Sequence, residues 1–381
     1  MSRKNQKRQK KFLIIASPYS WGGGIKSMID ETIKSLKIIN YNYLLVIPKF
    51  AANNTNLLEK NYKEINTLKF INFDKFPLIH HVIFALKSMK YLKGFDKYFA
   101  VVATSHTALP FVFSKKPFSL WVATSYADEL ESKYNSLMGD KPARKLRNSF
   151  HWKILASIER LVYQKATKIF ALSDYTATKI KEIDQGLSYK IDILNFPIDT
   201  LKFRPFENKK ANNTLIFTGR INDPRKNVIL LLHILKKLRE KIPDIKLVLV
   251  GDNPNILVRE TAKKLKIVNN VEFIPAVPRD EIPKLLNKAN LFVCTSTQEG
   301  LGISILEALS CCLPVVTIAC GGPESIVIKS GAGYVCNSTS IMRNKINQLL
   351  SNPKKIERLG RKGRKYIKEN FSYQQFINKI Q

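Results

Sequence analysis

Short apolar runs of strand length alternate with helix-length amphipathic patterns along almost the whole chain. This alternation restricts the fold to parallel sheets built from right-handed strand–helix–strand units, an α/β architecture. In the first half the predicted strands are residues 12–16, 43–47, 98–103, 119–123 and 168–172. The cycle restarts in the second half with 214–218, 246–250, 271–274, 291–295 and 314–318. The chain has 381 residues, and single cores stop growing beyond roughly 250–300 residues, so two domains are expected. Asn195-Phe-Pro-Ile-Asp199 leads into a polar stretch with Glu-Asn-Lys-Lys and Asn-Asn, which puts the boundary within 197–213. The predicted division is 1–197, with a basic tail over 1–11, then 198–365, then a C-terminal helix over 366–381 with the option of crossing back onto the first domain. After Pro353 a pattern studded with Lys and Arg runs to about Asn370 and reads as an amphipathic helix.

Hydrophobic residues make up 45% of the chain, enough for both domains to bury a core. Five cysteines, Cys294, Cys311, Cys312, Cys320 and Cys336, show neither metal-site spacing nor a paired framework, which fits a reduced, cytoplasmic setting. The six basic residues of 1–11 precede an apolar stretch too short for a signal peptide, and no run of eighteen apolar residues suggests a membrane span. The net charge of +33 divides evenly: residues 1–200 carry 32 basic and 16 acidic groups, the remainder 31 and 14. Such a surface favours anionic partners, and by itself does not choose among phosphate-rich ligands, anionic lipid and nucleic acid. A solvated surface with no partner explains the same charge.

Three segments hold residues suited to chemistry. Ser17-Pro-Tyr-Ser-Trp-Gly-Gly-Gly-Ile-Lys-Ser27 follows the first strand, and its Gly23 and Gly24 let backbone N–H groups at a helix start approach an anion. The segment is neither a Walker A loop nor a G-x-G-x-x-G fingerprint, and a tight strand-to-helix turn accounts for it equally well. Phe217-Thr-Gly-Arg-Ile-Asn-Asp-Pro-Arg-Lys-Asn-Val228 ends a strand at Gly219 and sets Arg220 and Lys226 at its carboxyl end, where open α/β sheets bind ligands. Cations there stabilise a departing diphosphate, though solvated loop charges have the same spacing. Gln298-Glu-Gly-Leu-Gly-Ile-Ser-Ile-Leu-Glu-Ala308 carries Glu299 and Glu307, two acids able to accept hydrogen bonds from sugar hydroxyls. For Glu307 there is a rival account: Ser304-Ile-Leu-Glu307 fits the S-x-x-E capping box.

Together with Pro314-Val-Val and Gly321-Gly-Pro-Glu324, these residues make the chain resemble glycosyltransferase family 4, the retaining GT-B enzymes. The resemblance is clear over 165–335; in the first half it rests on the glycine loop and the strand order. It implies two Rossmann-like domains whose parallel sheets face a cleft, an N-terminal acceptor-binding domain and a C-terminal nucleotide-sugar-binding domain. Arg220 and Lys226 would bind the donor diphosphate, with Gly23 and Gly24 meeting it from the opposite wall and Gly219 shaping the turn. Glu299 would contact the transferred sugar together with backbone at Gly300, Leu301, Gly302 and Ile303, and Glu307 would hold the ribose. Ile274, Pro275 and Val277 would frame the base. The sequence departs from the family in two places. Tyr126, in Trp121-Val-Ala-Thr-Ser-Tyr-Ala-Asp-Glu129, stands where a His is usual, with His106 a substitute or a structural residue. Cys312 stands where Gly is common.

No D-x-D occurs, and no His/Asp cluster has metal-ligand spacing, so no metal and no cofactor are expected beyond the nucleotide-diphosphate sugar used as donor. The expected activity is transfer of a hexose to a glycan or lipid-linked acceptor in polysaccharide biosynthesis. The expected location is cytoplasmic. The basic first half and the amphipathic stretch 77–92 leave open a peripheral contact with an anionic inner membrane face, and core packing explains that stretch as well. Two alternatives are another nucleotide-sugar enzyme on this fold, an epimerase or phosphorylase, and a basic nucleic-acid-binding protein. No lysine stands out as a pyridoxal-phosphate site, and no aromatic-basic interleaving supports nucleic acid, which is not an expected partner.

Overall fold

The computed structural model describes residues 9–18, 23–49, 61–66, 77–131, 150–207 and 212–381. The chain forms two compact units. One comprises 1–130, 143–194 and 379–381, the other 131–142 and 195–378.

The first unit runs β1 (Lys11–Ala16), α1 (Gly23–Ile38), β2 (Asn42–Lys49), β3 (Tyr62–Asn66), α2 (Pro77–Ser88), β4 (Lys97–Val102), α3 (Leu109–Phe113), β5 (Ser119–Val122), α4 (Phe150–Lys165), β6 (Lys168–Ala171), α5 (Asp174–Ile183) and β7 (Ile191–Ile193). Its strands pair in parallel in the order β3-β2-β1-β4-β5-β6-β7. The central strands are apolar without alternation because helices cover both faces: Leu13, Ile14 and Ile15 of β1 are all fully buried. The stretch 77–92 is largely core. His80, His81, Phe84, Ala85 and Ser88 are buried, while Ile79 and Leu86 stay exposed.

The second unit runs β8 (Thr214–Thr218), α6 (Val228–Arg239), β9 (Lys246–Gly251), α7 (Ile256–Lys264), β10 (Val271–Pro275), α8 (Ile282–Lys288), β11 (Leu291–Cys294), α9 (Ile303–Ser310), β12 (Val315–Ile318), α10 (Gly322–Ser330), β13 (Gly333–Cys336), α11 (Thr339–Leu350), α12 (Pro353–Asn370) and α13 (Tyr373–Ile380). Its strands are also parallel, in the order β10-β9-β8-β11-β12-β13. Leu231, Leu232 and Leu235 of α6 pack against Leu247 and Leu249 of β9 and Leu291 of β11 in one core, each such side chain contributing roughly 1.5–3 kcal/mol.

All ten predicted strands are present within two residues of their expected ends. Sequence reading missed β3, β7 and β13 because they lie at sheet edges, where one side stays open and an apolar run is not required. In β3 only Ile65 is buried. Among the described residues no helix is long and apolar enough to cross a membrane.

Cys312, the residue in place of a glycine, adopts φ +57° after α9. The backbone there is pressed against α12, since a Cβ added to Gly360 would stand 2.2 Å from the Cys312 carbonyl oxygen. A side chain in the left-handed region costs roughly 1–2 kcal/mol, partly offset by the greater entropy that Gly loses on folding. Cys312→Gly should therefore stabilise the second unit by about 0.5–1 kcal/mol, read as a higher midpoint in urea unfolding with an unchanged slope.

Candidate active site

In the second unit the strand order reverses between β8 and β11, so the loops leaving these neighbours diverge and open a crevice at their carboxyl ends. The loop after β8 begins with Gly219, at φ +154°. Here β8 and β9 approach so closely that a Cβ on Gly251 would lie 1.9 Å from the Gly219 oxygen. Beyond it, two acids fix the chain. Asp252 accepts the Ile221 and Asn222 N–H groups at 2.5 and 3.1 Å. Asp223 accepts the Arg225 N–H at 3.0 Å and ion-pairs with the Arg220 and Arg225 guanidinium groups at 2.8 and 3.0 Å. Burial alone would raise the Asp223 pKa. The hydrogen bonds and charge of Arg225, helped by Arg220, hold it below the ordinary carboxylate range.

The loop after β11 is bonded to this frame. The Thr295 hydroxyl donates to the Lys226 and Asn227 carbonyls at 3.2 and 3.0 Å, and the Thr297 N–H donates to the Arg225 carbonyl at 2.7 Å. The result is a close ion pair between Lys226 and Glu299, 73 residues apart in sequence, with both side chains more than four-fifths buried. Glu299 Oε1 also accepts the Ser296 hydroxyl at 2.9 Å. The Glu299 backbone bridges to the loop after β12, its N–H donating to the Cys320 carbonyl at 2.8 Å. Arg220 is about half exposed at the rim, 53% for its side chain. The structure thus brings Lys226 and Glu299 together and leaves Arg220 on the same loop, paired with Asp223, and the solvated-loop reading fails for Lys226.

Glu307 lies in α9, 7% exposed. It does not close a capping box. The helix is capped by Gly302 at φ +80° without any side-chain bond, and Ser304 lies inside the helix. Instead Glu307 Oε1 accepts Arg279 Nε at 3.0 Å, with Nη2 2.9 Å away. Arg279 stacks over Phe203 and Phe196, centroids 5.5 and 5.8 Å from its guanidinium carbon. Gly300 presses its carbonyl on Gly322, whose added Cβ would stand 2.2 Å away. Leu301 is buried and Ile303 begins α9. Ile274 and Pro275 end the edge strand β10, and Val277 follows half-buried in the loop carrying Arg279.

In the first unit Gly23, at φ +55°, and Gly24 open α1 and are exposed. Tyr19, Ser20, Trp21 and Gly22 lie outside the described residues. Tyr126 is half-buried after β5, its ring edge-on to His106 at 4.9 Å and tilted on Trp152 at 5.5 Å. His106 is a core residue and not a group open to a ligand. It is 1% exposed, its Nε2 lies 2.8 Å from the Leu155 carbonyl, and burial lowers its pKa to about 4. Beneath them Glu159, also 1% exposed, accepts the Tyr126 N–H at 2.9 Å and the Tyr163 hydroxyl at 3.0 Å.

Sequence reading missed Asp223, Asp252, Arg279 and Glu159. Asp252, directly after the second strand of its unit, occupies the usual place of an acid in nucleotide-binding βαβ units, which was the available signal. Arg279 and Glu159 have no local signal, because their partners are distant in sequence.

Residues 199–366 match the family model of glycosyl transferases, group 1. The whole chain superposes on a sucrose-phosphate synthase from Thermosynechococcus elongatus with TM-score 0.78 at 16% identity, covering 98% of this chain and 97% of that one. It superposes on Anabaena HepE in complex with UDP and glucose with TM-score 0.75 at 17% identity, covering 98% of each. The fold is GT-B. In sequence, the GT-B chain is 30% identical over 234 residues to a GDP-mannose-dependent alpha-(1-6)-phosphatidylinositol monomannoside mannosyltransferase of Mycolicibacterium smegmatis, over 56% of this chain and 61% of that protein. The chain spans roughly half to three-fifths of the length of this and other curated relatives it matches.

Burial raises the Glu159 pKa from 4.5 to about 7, against the lowering effect of its two hydrogen bonds. The folded state therefore holds a proton that the unfolded state releases, and stability present below the unfolded pKa is lost as pH rises through about 7. His106, with its lowered pKa, acts oppositely at lower pH. Comparison with Glu159→Gln isolates the carboxyl: between about pH 5 and pH 8 the unmodified protein should lose about 2–3 kcal/mol relative to the variant in urea unfolding.

Proposed function

We propose that this chain is a retaining hexosyltransferase that moves a hexose from a nucleotide-diphosphate sugar to the hydroxyl of a glycan or lipid-linked acceptor. The observation that carries this reading is the meeting of Lys226 and Glu299 at the switch point, with Arg220 on the rim and Glu307 on the adjoining helix.

Lys226 has three N–H donors, so it can keep Glu299 and still donate to a diphosphate oxygen. Arg220, half exposed, adds a second cation. These two groups meet the charge that develops on the departing diphosphate, the role taken by a metal in other transferases, and the proposed reaction uses neither metal nor cofactor. Glu299, fixed by Lys226 and Ser296, accepts sugar hydroxyls. Glu307, held by Arg279, accepts the ribose hydroxyls, while Ile274, Pro275 and Val277 border the base. In the transfer the bond from the anomeric carbon to the β-phosphate oxygen breaks, and a bond to the acceptor oxygen forms on the same face. The acceptor proton passes to the departing phosphate, so no protein nucleophile enters. Tyr126, a poor base at neutral pH, serves as a hydrogen-bond partner for a sugar hydroxyl.

The names of relatives support a nucleotide-sugar donor and divide over its base, GDP-mannose in one and UDP with glucose in another. The test is a screen of UDP-, GDP- and ADP-sugars for donor hydrolysis and transfer, with Glu299→Gln and Lys226→Ala beside the unmodified protein. Each substitution should lower the rate by about 10²–10³-fold with the preferred donor while the thermal transition persists. Unchanged turnover in both variants rejects the assignment.

A further inference from the structure

The exposed basic face of the helix that sequence reading singled out has no part in the reaction proposed above. α12 carries eight Lys and Arg against two Glu, a net +6 within 18 residues. Its apolar side, Ile356, Leu359, Gly360, Gly363 and Ile367, is buried against the second unit. Lys354, Arg358, Arg361, Lys365 and Lys368 are all exposed and spaced by 4, 3, 4 and 3 residues. At about 100° per residue these five fall within roughly 80° of arc, and at 1.5 Å rise they extend along about 21 Å of one helix face. No carboxylate interrupts the line; Glu357 and Glu369 flank it and pair with Arg361 and Lys365.

The line is held rigidly and has a recess beside it. Arg364 donates to the carbonyls of Ser310, Phe203 and Thr200 at 2.6, 3.1 and 3.2 Å, tying α12 to the end of α9 and to the start of the unit. Arg361, Arg364, Lys365 and Lys368, with Cys312 and Glu369, line an open groove of about 540 Å³. Four cations and one acid around a recess of this size suit a phosphate-bearing headgroup.

We infer that this face of α12 docks the protein on an anionic lipid surface, the lysines and arginines lying along the headgroup plane and a lipid phosphate entering the groove. The long flexible side chains of a straight row can all reach one plane. The row has no aromatic residue on which bases would stack, which favours lipid over single-stranded nucleic acid. The inference does not depend on the proposed reaction.

The test measures co-sedimentation of the full chain with vesicles of phosphatidylcholine alone and of an equimolar mixture with phosphatidylglycerol. The unmodified protein should bind only the mixed vesicles, and high salt should release it. Each cation near an anionic surface strengthens binding about fivefold, so replacing Lys354, Arg358, Arg361, Lys365 and Lys368 together by Gln should weaken it at least a hundredfold. A control with the same charge change elsewhere on the second unit, Lys237, Lys241, Lys246, Lys263 and Lys264 to Gln, should bind within a few-fold of the unmodified protein. Both variants should keep the thermal transition, since all ten positions are exposed. Equal losses in the two variants would show that only the overall charge matters and would overturn the inference. So would absence of binding to the mixed vesicles, or preferential, row-dependent binding of a nucleic acid duplex offered in competition.

Discussion

The ion pair between Lys226 and Glu299 is the contact on which the rest of the site depends. It joins two loops that leave adjacent strands in opposite directions, which only a strand-order reversal allows. An isolated pair of this kind would be worth little at the surface and costly if deeply buried without further bonds. Here both groups are mostly buried, and each loop is held by hydrogen bonds independent of the pair. Asp223 and Asp252 secure the first loop, and Thr295 and Thr297 secure the second to it. The pair is therefore the end point of a preorganised frame.

The first unit solves a related problem by burial. Its strand order reverses between β1 and β4, and the segments after β4 and β5 bring His106 and Tyr126 into ring contact. Glu159 supports them from below, accepting the Tyr126 N–H. A buried carboxyl such as Glu159 would demand a charge partner if ionised. Between about pH 4 and pH 7 desolvation keeps His106 neutral and Glu159 protonated, so the cluster is uncharged in that window. Tyr126 fits such a setting better than an ionisable imidazole, because a phenol keeps its proton and its hydrogen-bonding capacity across this range.

The fold was legible because apolar strand runs and their spacing are local signals, and the restart of the strand–helix cycle in the second half is visible without any distant contact. Glycines at 219 and 302 and the cations at 220 and 226 were legible for the same reason: a strand end and a helix start mark where they must lie. The partner of each charge was not. Nothing near Glu307 in sequence announces Arg279, and the local pattern around Ser304 pointed to a cap that Gly302 replaces by its backbone conformation. His106 allowed two readings, a site residue or a structural one, because a loop after a strand is often exposed. The short 3-10 turn over Ser105–Ala108 instead folds the ring inward.

Arg279 also shows how the second unit ties its parts together. A guanidinium facing Glu307 would be mobile on a loop, but Phe196 and Phe203 form an aromatic floor that restricts it. That floor is fixed in turn. Arg364, from α12, holds the carbonyls of Thr200 and Phe203, and the Ser310 hydroxyl donates to the Phe203 carbonyl at 2.6 Å. A continuous series of polar and stacked contacts thus runs from α12 through 200–203 to Arg279 and Glu307. The helix that carries the exposed basic row is for this reason part of the frame that holds Arg279 against Glu307.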